Sequence, residues 1–165
     1  MVDHKIQLCG TKHNFRRSSF VGDKCHKIKK EGNIILAHMI LTYSNHQKRH
    51  FDNIVSLREN LESLKDQEPQ IVLLEIQDFG ILTMGISREC GFVEYMDSTY
   101  DPPYLLAIDN EPKEFSEEYL EFDSGGTATP VRFNNCFSVE MVIRIAVDVS
   151  KNRKLPEYVS WKEEE

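Results

Sequence analysis

Two rhythms of apolar residues run through this chain. Ile54, Leu57, Leu61 and Leu64 follow one another at steps of three and four, which lines them up as one stripe of a helix. Arg58, Glu59, Glu62 and Lys65 then face outward, Asp52 reads as the N-cap, and Pro69 ends the helical region. After Pro69 the rhythm shifts to the period of strands. Residues 71–76, 81–86 and 91–96 predict a three-stranded meander, with 77–80 as the first turn and 88–91 as the second. Residues 104–108 predict another short strand. Residues 119–122 and 127–133 predict a hairpin about the turn Asp123-Ser-Gly-Gly126, and Pro130 confines its second strand to an edge or a bulge. Upstream, Ile40 to Tyr43 reads as a strand that Ile34, Ile35 and Leu36 can extend. Ser44 and Asn45 read as a turn, and the polar run around His46 and His50 reads as solvated.

One segment fits both periods. Val139, Met141, Ile143, Ile145, Val147 and Val149 alternate as in a strand, whereas Val139, Val142, Ile143, Ala146 and Val149 make a helical face. Ser138 suits an N-cap, with Phe137 and Val142 placed as a hydrophobic staple. The β-branched content favours a strand, the length favours a helix, and pattern alone leaves the two balanced. Residues 155–161 predict an extended piece with Trp161 packed on the body, and 162–165 a frayed tail.

The 165 residues suit one domain with its own core. No apolar run approaches the ~20 residues that cross a bilayer, and no signal-peptide pattern is visible, so a cytosolic protein with no membrane contact is expected. Charge divides the chain unevenly. Residues 1–38 carry eight lysines and arginines against three acidic residues, a balance of +5, and read as a basic N-terminal extension: either an upstream addition before Met39 or an arm that adds a strand or touches a partner. Residues 39–165 carry twelve basic against twenty-four acidic residues, a balance of −12. That body repels phosphates, which argues against direct nucleic-acid binding, and attracts a basic partner; acidity that merely keeps the chain soluble is the plainer account.

No residue set assembles into catalytic machinery. Asp78-Phe79-Gly80 matches a kinase metal-binding tripeptide but lacks every companion motif, and a turn explains it. Gly125-Gly126 precedes a strand rather than a helix, so it suits a turn and not a phosphate cradle. Cys9, His13, Cys25 and His26 fit no common zinc spacing. The four cysteines, Cys9, Cys25, Cys90 and Cys136, match no disulfide framework. Glu117, Glu118, Glu121 and Asp123 are numerous enough for acid–base chemistry, which needs two of them facing across a cleft; a solvated acidic face is the simpler reading. No metal and no cofactor are expected, and a binding role gains by default.

The order of motifs resembles immunity protein family one of bacterial polymorphic toxin systems. LTYSN at 41–45 is followed by the amphipathic helix, VLLEI at 72–76, LTMGI at 82–86 and PPYL at 102–105. YLEFDSGGT at 119–127 is the sharpest match, and LPEYVSW at 155–161 closes it. The resemblance spans about residues 40–162. It implies an α+β fold with residues 138–149 helical. We therefore expect a single α+β domain over 39–165, with an antiparallel sheet of about five to seven strands and two main helices. It also implies a non-catalytic protein encoded beside a toxin, often a deaminase-type toxin acting on nucleic acid, which it binds and blocks.

The expected mechanism is occlusion. An acidic surface meets the basic groove where the cognate protein toxin would hold nucleic acid, charge speeds the encounter, and a few aromatics carry the affinity. The loops at 97–104 and 109–118 are the candidate contacts. Tyr95, Tyr100 and Tyr104 are the expected anchors, with Asp97, Asp101, Asp109, Glu111, Glu114, Glu117 and Glu118 as the acidic rim. The rival readings are a small enzyme using the acidic cluster and a general interaction domain with no toxin link.

Overall fold

The computed structural model describes residues 35–110 and 118–164. The apolar stripe at 54–64 forms helix α1 (Ile54–Leu64), which buries Leu57, Leu61 and Leu64. Its N-cap is Asn53 rather than Asp52: the Asn53 side chain accepts a hydrogen bond from the Ser56 amide at 2.9 Å. The reason lies just upstream. Residues Lys48–Asn53 are a strand, β2, and its extended backbone runs straight into the helix. The polar run around His50, expected to be a solvated turn, is thus the sheet's edge strand. It buries a single side chain, Phe51, which is why its sequence carries no strand rhythm.

β1 (Ile35–Thr42) pairs with β2 on one side and with β3 (Gln70–Ile76) on the other. The sheet continues through β4 (Gly80–Ile86), β5 (Cys90–Asp97) and β6 (Tyr104–Ile108). β7 (Tyr119–Ser124) and β8 (Thr127–Arg132) form the expected hairpin. A single 3-10 turn, Phe133–Asn135, leads to the two-residue β9 (Phe137–Ser138). β10 (Ser160–Glu164) closes the far edge by pairing with β6. Residues 162–164, expected as a frayed tail, are therefore ordered by main-chain pairing. The strand order is β10-β6-β5-β4-β3-β1-β2, with β7, β8 and β9 attached to this path. The class is α+β, as expected, but the sheet has ten strands rather than five to seven. β2, β9 and β10 make up the excess, each short or charged. Pairing is antiparallel throughout except for one parallel bridge, Gln70 to Asp123, where the hairpin joins β3.

The ambiguous segment is helix α2 (Val139–Asn152). Ser138 caps it, accepting from the Met141 amide at 3.3 Å, and Phe137 and Val142 are both buried at the staple positions. Arg153 ends it in the left-handed region at φ 50°, donating its amide to the Val149 carbonyl at 2.8 Å. Tertiary burial overrides β propensity here: Val142, Ile145, Ala146 and Val149 are all fully buried. Val142, Ile145 and Val149 each contribute ~1.5–3 kcal/mol of hydrophobic stabilisation, and the smaller Ala146 less.

Both helices lie on one face of the sheet. They pack with Met39, Leu41, Val72, Leu74, Leu82, Met84 and Val93 into the main core. Residues of the opposite parity face the other way. There Phe92, Leu106 and Phe122 form a second, smaller core, with Ile71, Ile108, Leu120 and Val131 packed around it, as the β7–β8 hairpin folds over that part of the sheet. Phe92 and Phe122 meet edge to face at 5.5 Å. No helix among the described residues is long and apolar enough to cross a membrane. β1 already includes residues 35–38, so the chain joins the sheet before Met39. The rest of the basic extension, with Cys9, His13, Cys25 and His26, lies outside the described residues.

Candidate functional site

The hairpin covers only part of the second face. The strand registers define three rows of side chains across it. The row Ile71, Gly85, Phe92, Ile108 lies under the hairpin. The next row is Thr42, Leu73, Thr83, Glu94, Leu106 and Lys162. The outermost is His50, Ile40, Glu75, Ile81 and Met96, reaching Tyr104 and Glu164 on the last two strands. Among the described residues, no helix lies over these two rows. They mix apolar, polar and charged positions; Ile81 and Leu106 are buried, and Leu73 is 40% exposed in their midst.

One end of the outer row is walled by the loop after β5. Asp97 accepts hydrogen bonds from both the Thr99 amide and the Thr99 hydroxyl at 2.6 Å, and these hold its carboxyl below the usual range. The turn this builds carries Tyr100 in the left-handed region at φ 64°, with its ring exposed. Tyr100 and Ser98 then line a pocket of about 240 Å³ with Ile40, Glu75, Asp78 and Ile81. His38 borders the same pocket. Its Nδ1 meets Asp52 Oδ1 at 3.3 Å and its Nε2 meets His50 Nδ1 at 3.0 Å. Both ring nitrogens of His38 are thereby committed within an Asp–His–His chain at the sheet edge.

The expected contact residues fall into three groups. Asp97, Tyr100, Asp101 and Tyr104 lie at or beside the open face, and the first three are exposed. Tyr95 faces the helix side instead. It is half-buried against the main core, stacks on Phe79 at 5.2 Å, and donates its hydroxyl to the Phe79 carbonyl at 3.0 Å. Burial and the nearby Asp97 charge push its phenol pKa up. Tyr95 thus closes the β4 turn, where a side chain on Gly80 would meet the Met96 carbonyl at 2.5 Å. Asp109 ends β6, and Glu118 opens β7, its carbonyl accepting from the Phe133 amide at 2.9 Å. Glu111, Glu114 and Glu117 lie outside the described residues, so the 109–118 loop is placed only at its two ends.

Sequence reasoning missed the strand residues of the open rows: Ile40, Leu73, Glu75, Ile81, Glu94 and Met96. The signal was present in β3, where 71–74 is apolar at every position and not only at alternate ones. Such a run requires something to cover both faces of the strand. The hairpin covers Ile71 and leaves Leu73 exposed.

Glu94 stands out electrostatically. It is half-buried, and burial first, then the neighbouring Glu164 charge, raise its carboxyl above the ordinary range. Elsewhere, burial and a hydrogen bond to Asp148 at 2.9 Å push the Tyr158 phenol well above its normal value. That phenol lies under the Arg144 guanidinium, 4.3 Å from the ring centre, and serves packing beneath α2. Among the described residues, no group of three or more histidine, cysteine or carboxylate side chains is placed to hold a metal ion. In comparisons with known proteins, no family model matches the chain and no curated protein matches it.

Proposed function

We propose that this chain is an immunity protein that binds a cognate bacterial toxin in the cytoplasm and covers its nucleic-acid-binding groove. The observation that carries this reading is the half-covered sheet. Two helices protect one face, while two cross-strand rows on the other carry apolar and acidic side chains with no helix above them among the described residues. A surface of that kind gives a partner both area to bury and charge to recognise. The −12 balance of residues 39–165 suits a partner that must itself be basic to hold nucleic acid. The motif order shared with immunity protein family one points the same way. Occlusion needs no reacting group on this side of the interface.

The test is co-expression with the toxin encoded by the adjacent gene. Growth should be rescued, and a stable complex of fixed stoichiometry should elute in size-exclusion chromatography. Rescue at strongly sub-stoichiometric levels would instead mean turnover, and the occlusion reading would fall.

A further inference from the structure

Between the β7–β8 hairpin and the open sheet lies a groove of about 550 Å³. Its floor is Leu73, Thr83, Glu94 and Leu106, and Tyr119 and Arg132 stand on its hairpin wall. We propose that this groove receives a lysine or arginine side chain of the bound protein, whose cation sits between Glu94 and Glu164. The proposal rests on the toxin-binding reading and names the anchor within it.

Three features of the groove argue for a cation on a long apolar stem. First, the groove's carboxylates are unpaired. Glu94 sits half-buried beside a second carboxylate, Glu164, and neither forms an ion pair with a described lysine or arginine. Two described cations lie nearby: Arg132, whose Nε is turned to the Tyr119 hydroxyl at 3.3 Å, and Lys162, beside Leu106 in the same cross-strand row; neither is within ion-pair distance of Glu94 or Glu164. An incoming ammonium or guanidinium relieves two carboxylates at once, in a place where partial desolvation strengthens the attraction. Second, the approach is greasy. Leu73 is 40% exposed and Tyr119 55%, surfaces that the methylene stem of lysine or arginine covers while its head stays polar. Third, the groove is already formed, held open by the Phe92–Phe122 contact beneath the hairpin. A basic side chain therefore docks without reordering the sheet.

The probe is N-acetyl-arginine amide, with N-acetyl-norleucine amide as the uncharged control, each titrated into the full chain and followed by methyl NMR. Leu73, Leu106 and Val131 methyls should shift with the arginine compound, with a Kd of about 1 mM, the scale expected for a ligand of this size. Glu94→Gln should weaken binding about ten-fold or more while leaving the rest of the spectrum in place, and Glu59→Gln, exposed on α1 across the sheet, should leave binding unchanged. Acidification should weaken binding as Glu94 takes up its proton. Equal shifts with the norleucine compound, or undiminished binding to Glu94→Gln, would overturn the proposal. So would full neutralisation of the toxin by Glu94→Gln at wild-type affinity, an outcome that spares the broader occlusion reading. Arginine binding by a chain that gives no protection would sink the occlusion reading and leave the groove standing.

Discussion

Glu94 is the residue on which the fold and the proposed role pull in opposite directions. Its carboxyl binds a proton more tightly in the folded chain than in the unfolded one. The favourable contribution is therefore present below the ordinary carboxylate value and is lost as pH rises through the raised folded value. Glu94→Gln should accordingly be slightly more stable than the parent at pH 7, and the advantage should shrink as the pH falls toward 4. Urea midpoints measured across that range check this; a variant less stable than the parent at pH 7 would contradict it. A side chain that costs stability and forms no hydrogen bond or ion pair with the described residues fits the proposed recognition role. Tyr95 shows the converse. It was an expected anchor, yet its ring packs on Phe79 and its hydroxyl is satisfied by a carbonyl, so its work is done inside the fold.

Element by element, the chain was legible where apolar residues kept one period over a whole segment. α1 follows this pattern, while the β3–β4–β5 meander and the β7–β8 hairpin were legible as short apolar runs bounded by turn residues. β2 was not, because Lys48, Arg49, His50 and Asp52 leave Phe51 as its one buried anchor. β10 hides for the same reason behind Lys162, Glu163 and Glu164. The α2 segment satisfied both periods, and only packing against the sheet decides it. The candidate face was illegible for a deeper reason: alternation tells which residues share a side of a strand but not which side the helices will cover. The revised cap of α1 gives a direct test. Asn53→Ala should cost about 1 kcal/mol of folding stability, while Asp52→Ala should change it by less than about 0.5 kcal/mol. Chemical denaturation of both variants distinguishes the two assignments.

For the molecule as a whole, the separation of charge from apolar core governs how a partner is met. The acidic body acts at long range, whereas the exposed Leu73 and Tyr100 act only on contact. Under the proposed function, association with the toxin should therefore slow by about ten-fold or more between low salt and 0.5 M salt, with a much smaller change in dissociation rate. Stopped-flow mixing at several ionic strengths measures both. Dissociation carrying most of the salt effect would place the charges inside the interface rather than around it.

The closing of the sheet by β10 has its own consequence. Ser160 to Glu164 reach β6 from far along the sequence, after α2 has crossed the opposite face, and hold it by a single ladder at an outer edge. Such a seam opens by itself long before the body unfolds. Amide protons of this last ladder should exchange with deuterium well ahead of those in β3 and β4. Each such opening would move Glu164 away from the groove of the proposal, so one of its walls breathes while its floor stays fixed.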